Sequence, residues 1–148
     1  MKKISTLATA SLAASTLLVG LATPVQAAPD WNKRIRCKQK DWEGRNIPTR
    51  YGNSKFGWNH FTHKHNIKNC KVVEGPLNGK PDKTDGARLE YYGIATNGSR
   101  HVKIVVIVQW ARKTSDGDYD AGRGQKIGVI NAFCKNQPRN KCPNWVSE

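Results

Sequence analysis

The hydrophobic pattern is clearest between Val102 and Trp110, where almost every residue is apolar. In an extended chain, alternate side chains lie on opposite faces. One face of this segment would carry Val102, Ile104, Val106, Val108 and Trp110, and the other would carry Val105 and Ile107. A segment that is apolar on both faces is typical of a central strand. We therefore predict that residues 102–110 lie in the middle of a sheet.

Segments on both sides of this strand also have strand character. Arg88–Ile94 is rich in aromatic and branched residues, and Asn97-Gly98 after it is a dipeptide typical of hairpin turns. A polar loop over residues 113–124 leads to a last predicted strand, Gln125–Phe133. Residues 71–73 predict one further short strand. Together these segments predict an antiparallel β-sheet meander.

The segment Phe56–Ile67 favours a short helix and holds three of the four histidines. Helical spacing would place Phe56, His60, His63 and Lys64 on one face and Trp58, Phe61 and His65 on the opposite face. Because two aromatic residues lie on the second face, we expect it to be buried. His60 would then face outward, and His65 would project away from it. Asn53 or Ser54 is the expected N-cap. A short N-terminal helical segment followed by the meander defines an α+β fold.

Residues 1–27 have the pattern of a secretory signal peptide. Lys2 and Lys3 precede an uncharged stretch, and Val25-Gln26-Ala27 provides a small-x-small cleavage pattern. A membrane anchor is the alternative, but the many Ser and Thr residues and the cleavage pattern disfavour it. We predict that residues 28–148 form a single secreted, extracellular α+β domain, a monomer with no membrane association.

The mature chain would be strongly basic. Removal of Lys2 and Lys3 leaves 23 basic and 11 acidic residues, a net charge of +12. Such a charge favours nucleic acid, anionic surfaces or acidic polymers as partners. In an extended strand, Arg34, Arg36, Lys38 and Lys40 would share one face, and we expect Lys38 and Lys40 to bind nucleic acid. The alternative is a solvated edge strand whose lysines block pairing.

All four cysteines lie in the predicted mature chain, and an even number in an exported protein indicates two disulfides. Cys134 and Cys142 flank a short polar loop that contains Pro138, so we predict that they pair with each other. That leaves Cys37 with Cys70.

The histidine segment indicates acid–base chemistry, since histidine both accepts and donates protons near neutral pH. Metal-independent cleavage of RNA needs a base for the 2′-hydroxyl, an acid for the leaving oxygen and a cation for the phosphoryl charge. We expect His60 to be catalytic, Lys126 to stabilise the phosphoryl charge, and Lys64 and Arg123 to bind nucleic acid. The alternatives at the histidines are a metal site and a pH-sensitive or merely solvated cluster. We expect no metal and no cofactor.

The segment Gly57-Trp58-x-His60-Phe61-x-x-Lys64-His65 resembles one found in secreted bacterial nuclease toxins. The order of elements is similar to the barnase–EndoU–colicin–RelE superfamily of ribonucleases, and the chain also resembles small exported actinobacterial proteins. The resemblance implies that His60 and His65 form the catalytic pair. It also implies a role for Asn131, at a threonine position of the family's last strand, where Phe133 replaces a tyrosine.

These observations predict a secreted endoribonuclease that acts as a toxin or a scavenging enzyme. RNA would be its partner, and the toxin interpretation implies a cognate immunity protein. Two alternatives stay open: a non-catalytic protein that binds an anionic polymer, and an inhibitor of another secreted enzyme.

Overall fold

The computed structural model describes residues 27–148, so residues 1–26 of the predicted signal peptide lie outside the described range. The strands are β1 (Asn32–Lys40), β2 (Asn46–Gly52), β3 (Lys83–Asp85), β4 (Arg88–Asn97), β5 (Arg100–Gln109) and β6 (Gly128–Lys135). The helices are α1 (Trp58–His65) and α2 (Cys70–Leu77), and two 3-10 turns follow at Pro138–Asn140 and Asn144–Val146. No helix in the described range is both long and apolar enough to cross a membrane.

The described chain is mostly β, and the predicted α+β class is wrong. Two antiparallel sheets are present: a two-stranded sheet, β1-β2, and a four-stranded sheet in the order β3-β4-β5-β6. Strand pairing therefore begins before α1, and each of the two α-helices has only 8 residues. The pairing of β1 with β2 contains two register shifts, near Ile35. These shifts interrupt the alternation by which a strand is recognised in sequence.

The meander prediction is confirmed for the central part of the four-stranded sheet. β5 lies between β4 and β6 and is antiparallel to both. Gly98 lies in the turn between β4 and β5 with φ 61°, a conformation that glycine adopts without steric cost. The short strand predicted over residues 71–73 is absent, because Val72 and Val73 bury themselves as part of α2. The side chain of Asn69 caps that helix by accepting a hydrogen bond from the Lys71 amide.

One face of the four-stranded sheet, which we call the core face, is covered by α1, α2 and the β1-β2 hairpin. Its largest fully buried side chains include Ile47, Phe61, Ile67, Leu77, Tyr91, Val106 and Val108. Gly93 permits the close approach of α2, because a Cβ atom there would lie 2.8 Å from Cγ of Pro76. The core therefore lies between the sheet and three small elements.

The start of α1 differs from the prediction. Neither Asn53 nor Ser54 caps the helix; Gly57 occupies the N-cap position with φ 78° and without a side-chain cap. A Cβ atom on Gly57 would lie 2.9 Å from the carbonyl oxygen of Arg50, so the packing against β2 requires glycine. The predicted burial of Trp58, Phe61 and His65 is confirmed.

Both predicted disulfides are confirmed. Cys37–Cys70 links β1 to the first residue of α2, and Cys134–Cys142 closes the loop that follows β6. Two such bridges are typical of proteins from oxidising environments.

A buried polar network joins the hairpin to the four-stranded sheet. The Asp41 carboxylate accepts hydrogen bonds from the Tyr91 hydroxyl and from Nε of Arg45, both at 2.7 Å. It also accepts from the main-chain amides of Glu43 and Arg45. Burial acts to raise the pKa of Asp41, but the hydrogen bonds from Tyr91 and Arg45 outweigh it and lower that pKa. The turn of the hairpin is thereby fixed to β4.

We expect Tyr91→Phe to lower the free energy of unfolding by about 1–3 kcal/mol, because the buried Asp41 carboxylate loses a donor. Urea denaturation measures this change. Tyr92→Phe is the matched control: its hydroxyl donates to Glu90 at 3.2 Å on a partly exposed surface, so the loss should stay below about 0.5 kcal/mol. Equal losses in the two variants would contradict a structural role for the network.

Candidate functional site

His60 and His65 lie next to each other at the end of α1. Their ring centroids are 5.5 Å apart, and the ring planes cross at 75°. The prediction that His65 projects away from His60 is wrong. His65 is the last residue of α1, and Asn66 after it has a left-handed conformation. The ring of His65 is therefore oriented by contacts from outside the helix.

The loop closed by Cys134–Cys142 fixes His65. Nδ1 of His65 is 3.1 Å from the carbonyl oxygen of Asn140, and the Cys142 amide donates to the His65 carbonyl at 2.8 Å. The Phe133 ring lies 5.7 Å away, and only 4% of His65 is exposed. Burial, and then the nearby charge of His60, lower the pKa of His65. His65 is thus held as a neutral, nearly enclosed ring.

His60 and His63 are more accessible than His65, and a main-chain carbonyl orients each ring through Nδ1. Nδ1 of His60 lies 2.8 Å from the Ser54 carbonyl oxygen, and Nδ1 of His63 lies 2.6 Å from that of Asn59. In the neutral rings these contacts assign the proton to Nδ1. Nε2 of each ring is then the nitrogen that can exchange a proton with a bound molecule.

An open cavity of about 510 Å³ adjoins these two histidines. It is lined by Ser54, Asn59, His60, His63 and Lys64. We call it the histidine cleft. Its only charged or titratable lining residues are the two histidines and Lys64. Across residues 27–148, no group of three or more His, Cys, Asp or Glu side chains is placed to hold a metal ion. The cleft therefore combines two proton carriers with one cation.

The second face of the four-stranded sheet carries aromatic and basic residues in rows. Phe133 pairs with Val105, which in turn pairs with Tyr92. The next row contains Lys135 opposite Lys103, and Nζ of Lys103 lies 3.7 Å from the Tyr92 ring centroid. Because Phe133 also contacts His65, this face is continuous with the end of α1.

Asn131 lies on this second face, two positions before Phe133 and opposite Ile107. Its Oδ1 atom is buried and accepts no hydrogen bond from the described residues. An acceptor without a donor is uncommon in a folded protein. Asn131 therefore lies on β6, the last strand, as predicted. Among the described residues it makes no hydrogen bond to His60 or His65.

The sequence interpretation missed Lys103 and Lys135, the cations nearest to Phe133 on the second face. The predicted last strand ended at Phe133, which left out Lys135. Lys103 belongs to β5, and its position opposite Lys135 depends on the register of pairing. The sequence signal that could have identified Lys135 was the two-residue period of a strand. This period places Lys135 on the same face as Phe133.

The other predicted site residues lie elsewhere. Lys38, Lys40 and Lys126 line a second cavity together with Arg50 and Trp110; we call it the hairpin pocket. Lys126 precedes β6, and its Nζ lies 5.0 Å from the Trp110 ring centroid. Lys126 is not among the residues that line the histidine cleft, so the two predicted groups belong to different cavities. Arg123 is exposed in the turn before this pocket.

The predicted basic stripe on β1 is interrupted. Arg34 lies over the Tyr51 ring and Arg36 over the Trp58 ring, whereas Lys38 and Lys40 line the hairpin pocket. The register shifts around Ile35 separate the two pairs of cations.

The comparisons with known proteins give no relatives: no family model matches the chain, and no curated protein or solved structure is significantly similar to it.

The lowered pKa of His65 predicts a pH dependence of stability. Below the ordinary histidine pKa of 6.5 the unfolded chain binds a proton that the folded chain excludes. The free energy of unfolding should therefore fall as pH decreases from 6.5 toward the lowered folded pKa. Denaturant unfolding at pH 7.5, 6.5 and 5.5 measures this slope.

His65→Gln should reduce that slope, whereas His63→Gln, which alters an exposed ring, should leave it unchanged. An identical slope in the wild-type protein and the His65→Gln variant would show that another group causes the pH dependence.

Proposed function

We propose that the mature chain is a secreted endoribonuclease that cleaves RNA by metal-independent acid–base catalysis in the histidine cleft. The observation that carries the proposal is that His60 and His63, each with Nδ1 tied to a main-chain carbonyl, line one cavity together with Lys64. The predicted signal peptide and the two disulfides support secretion. The resemblance of the α1 segment to secreted nuclease toxins supports the substrate class.

The cleavage needs two proton transfers in one displacement at phosphorus. A neutral histidine takes the proton of the RNA 2′-hydroxyl through Nε2, and the 2′-oxygen forms a bond to the adjacent phosphorus. The bond from phosphorus to the 5′-oxygen breaks, and the second, protonated histidine donates its proton to that oxygen. The products are a 2′,3′-cyclic phosphate and a 5′-hydroxyl. His60 and His63 fill these two roles, because both line the cleft.

Lys64 stabilises the charge that grows on the phosphoryl oxygens, because it is the lysine that lines the same cavity. This assignment replaces Lys126, which lies in the hairpin pocket. The second face of the sheet then offers Phe133 and Tyr92 for stacking of bases, and Lys103 and Lys135 for phosphates.

His65 is a positioning residue in this proposal. With 4% exposure, it is too enclosed to meet a substrate directly, but its ring contacts that of His60. A neutral ring at this position fixes the orientation of His60 and avoids a second positive charge beside it.

The second candidate function is binding of an anionic polymer without catalysis. The observation that favours it is the spread of cations beyond the cleft: Lys103 and Lys135 on the sheet, and Lys38, Lys40 and Lys126 in the hairpin pocket. As an antagonistic toxin, the protein would have a cognate immunity protein as a further partner; as a scavenging enzyme, it would need only RNA.

His60→Ala and His63→Ala should each lower the rate of RNA cleavage by about 10²–10⁴-fold, the range for loss of one general acid or base. The assay is cleavage of a fluorescent RNA by the purified mature protein, with circular dichroism to verify folding. His101→Ala is the matched control, because His101 is exposed at the far end of β5. Chelator should leave the wild-type rate unchanged.

His65→Gln separates positioning from catalysis. It should cost less than His60→Ala and should shift the pH–rate profile, because the ring next to His60 is replaced. Wild-type rates in folded His60→Ala protein would exclude His60 as a catalyst. If the wild-type protein binds RNA but never cuts it, the polymer-binding function replaces this one.

A further inference from the structure

The hairpin pocket is a cavity of about 550 Å³ lined by the β1-β2 hairpin, Trp110 and the loop before β6. This volume lies in the range of about 300–1,000 Å³ that is usual for small-molecule sites. Ile35, Pro48 and Trp110 provide apolar walls, and Lys38, Lys40, Lys126 and Arg50 provide positive charge. No Asp or Glu is among its lining residues. The pocket therefore combines apolar surface with uncompensated positive charge.

Arg50 is the most unusual residue of the pocket. Only 5% of it is exposed, and its guanidinium donates to the carbonyl oxygens of Lys33 and Lys126 at 2.6 and 3.0 Å and to Oε1 of Gln125 at 3.1 Å. All three acceptors are neutral. Within residues 27–148, no carboxylate forms an ion pair with Arg50.

A buried cation without a counter-charge destabilises a protein. Burial accordingly lowers the pKa of Arg50. A guanidinium has five N–H donors, and three hydrogen bonds leave donors for another acceptor. An anion bound in the pocket would supply the missing charge, and Lys38, Lys40 and Lys126 at its margin would add to the attraction.

The apolar part of the pocket indicates that the anion carries a flat, aromatic group whose face can lie against it. Trp110 is half-buried, and Ile35 is a large hydrophobic residue with 38% exposure. An indole face is a surface on which nucleic-acid bases stack. A phosphate alone would leave these surfaces in contact with water.

We propose that the hairpin pocket binds one nucleotide, with its phosphate toward Arg50 and the lysines and its base against Trp110. The nucleotide belongs to an RNA strand that also reaches the histidine cleft; this part of the inference rests on the proposed function, whereas binding of a nucleotide does not. The pocket is then a second RNA-binding site, separate from the site of cleavage.

Isothermal titration calorimetry with adenosine 5′-monophosphate, inorganic phosphate and adenosine tests the nucleotide site. The monophosphate should bind more tightly than either of the other two. Trp110→Leu should weaken its binding by about tenfold, because stacking is lost, and Lys126→Gln should weaken it through loss of charge. The matched controls are Trp42→Leu, at a position with 63% exposure, and Lys80→Gln, at an exposed lysine outside the pocket.

Two results would overturn the nucleotide site: equal binding of phosphate and the monophosphate, or binding that Trp110→Leu leaves unchanged. A 2′-deoxy oligonucleotide cannot be cleaved through a 2′-hydroxyl. Its binding tests whether the nucleotide in the pocket belongs to a strand. Its affinity should fall in the Trp110→Leu variant if the pocket holds part of a strand. If only monophosphate binding falls, the strand assignment is wrong. If the wild-type protein binds the monophosphate but does not cleave RNA, the proposed function is wrong and the nucleotide site remains.

Discussion

The Cys37–Cys70 disulfide joins two pieces that cover the core face of the four-stranded sheet. A two-stranded hairpin and an 8-residue helix are each too short to be stable in water alone. Their apolar side chains must therefore be held against the sheet. The disulfide limits the conformations of the unfolded chain between β1 and α2, and Asp41 fixes the other end of the hairpin to Tyr91. These two links hold the β1-β2 hairpin and α2 against the sheet, so that these short elements keep the core buried.

The second disulfide connects the fold to the candidate site. Cys134 lies in the core, and Cys142 returns the chain to the end of α1, where the carbonyl of Asn140 meets Nδ1 of His65. A loop of this kind would otherwise change conformation readily. The orientation of His65, and through it the position of His60, thus depends on a covalent bond outside the helix that carries both histidines.

Much of the fold follows from local patterns, but the site depends on long-range contacts. The apolar segment 102–110 indicated the central strand, and Asn97-Gly98 indicated its turn, because both signals act between neighbouring residues. The class was wrong because a two-stranded sheet, β1-β2, precedes α1 and each α-helix has only 8 residues. Similarly, the contact of His60 with His65 requires the end of a helix and a distant carbonyl, and the proximity of Lys103 to Lys135 requires the strand register.

If the proposed cleavage of RNA takes place, the two cavities would contribute to it in different ways. The histidine cleft is open, and its lining offers one lysine and no Phe, Tyr or Trp side chain, so it provides little ground-state affinity. The hairpin pocket has a tryptophan and four cations. Binding energy from a remote part of a substrate can be used to position its reacting part. A strand anchored by one nucleotide at Arg50 and Trp110 would present its other phosphates along β6 toward His60, and the rate of cleavage would then depend on the length of the RNA.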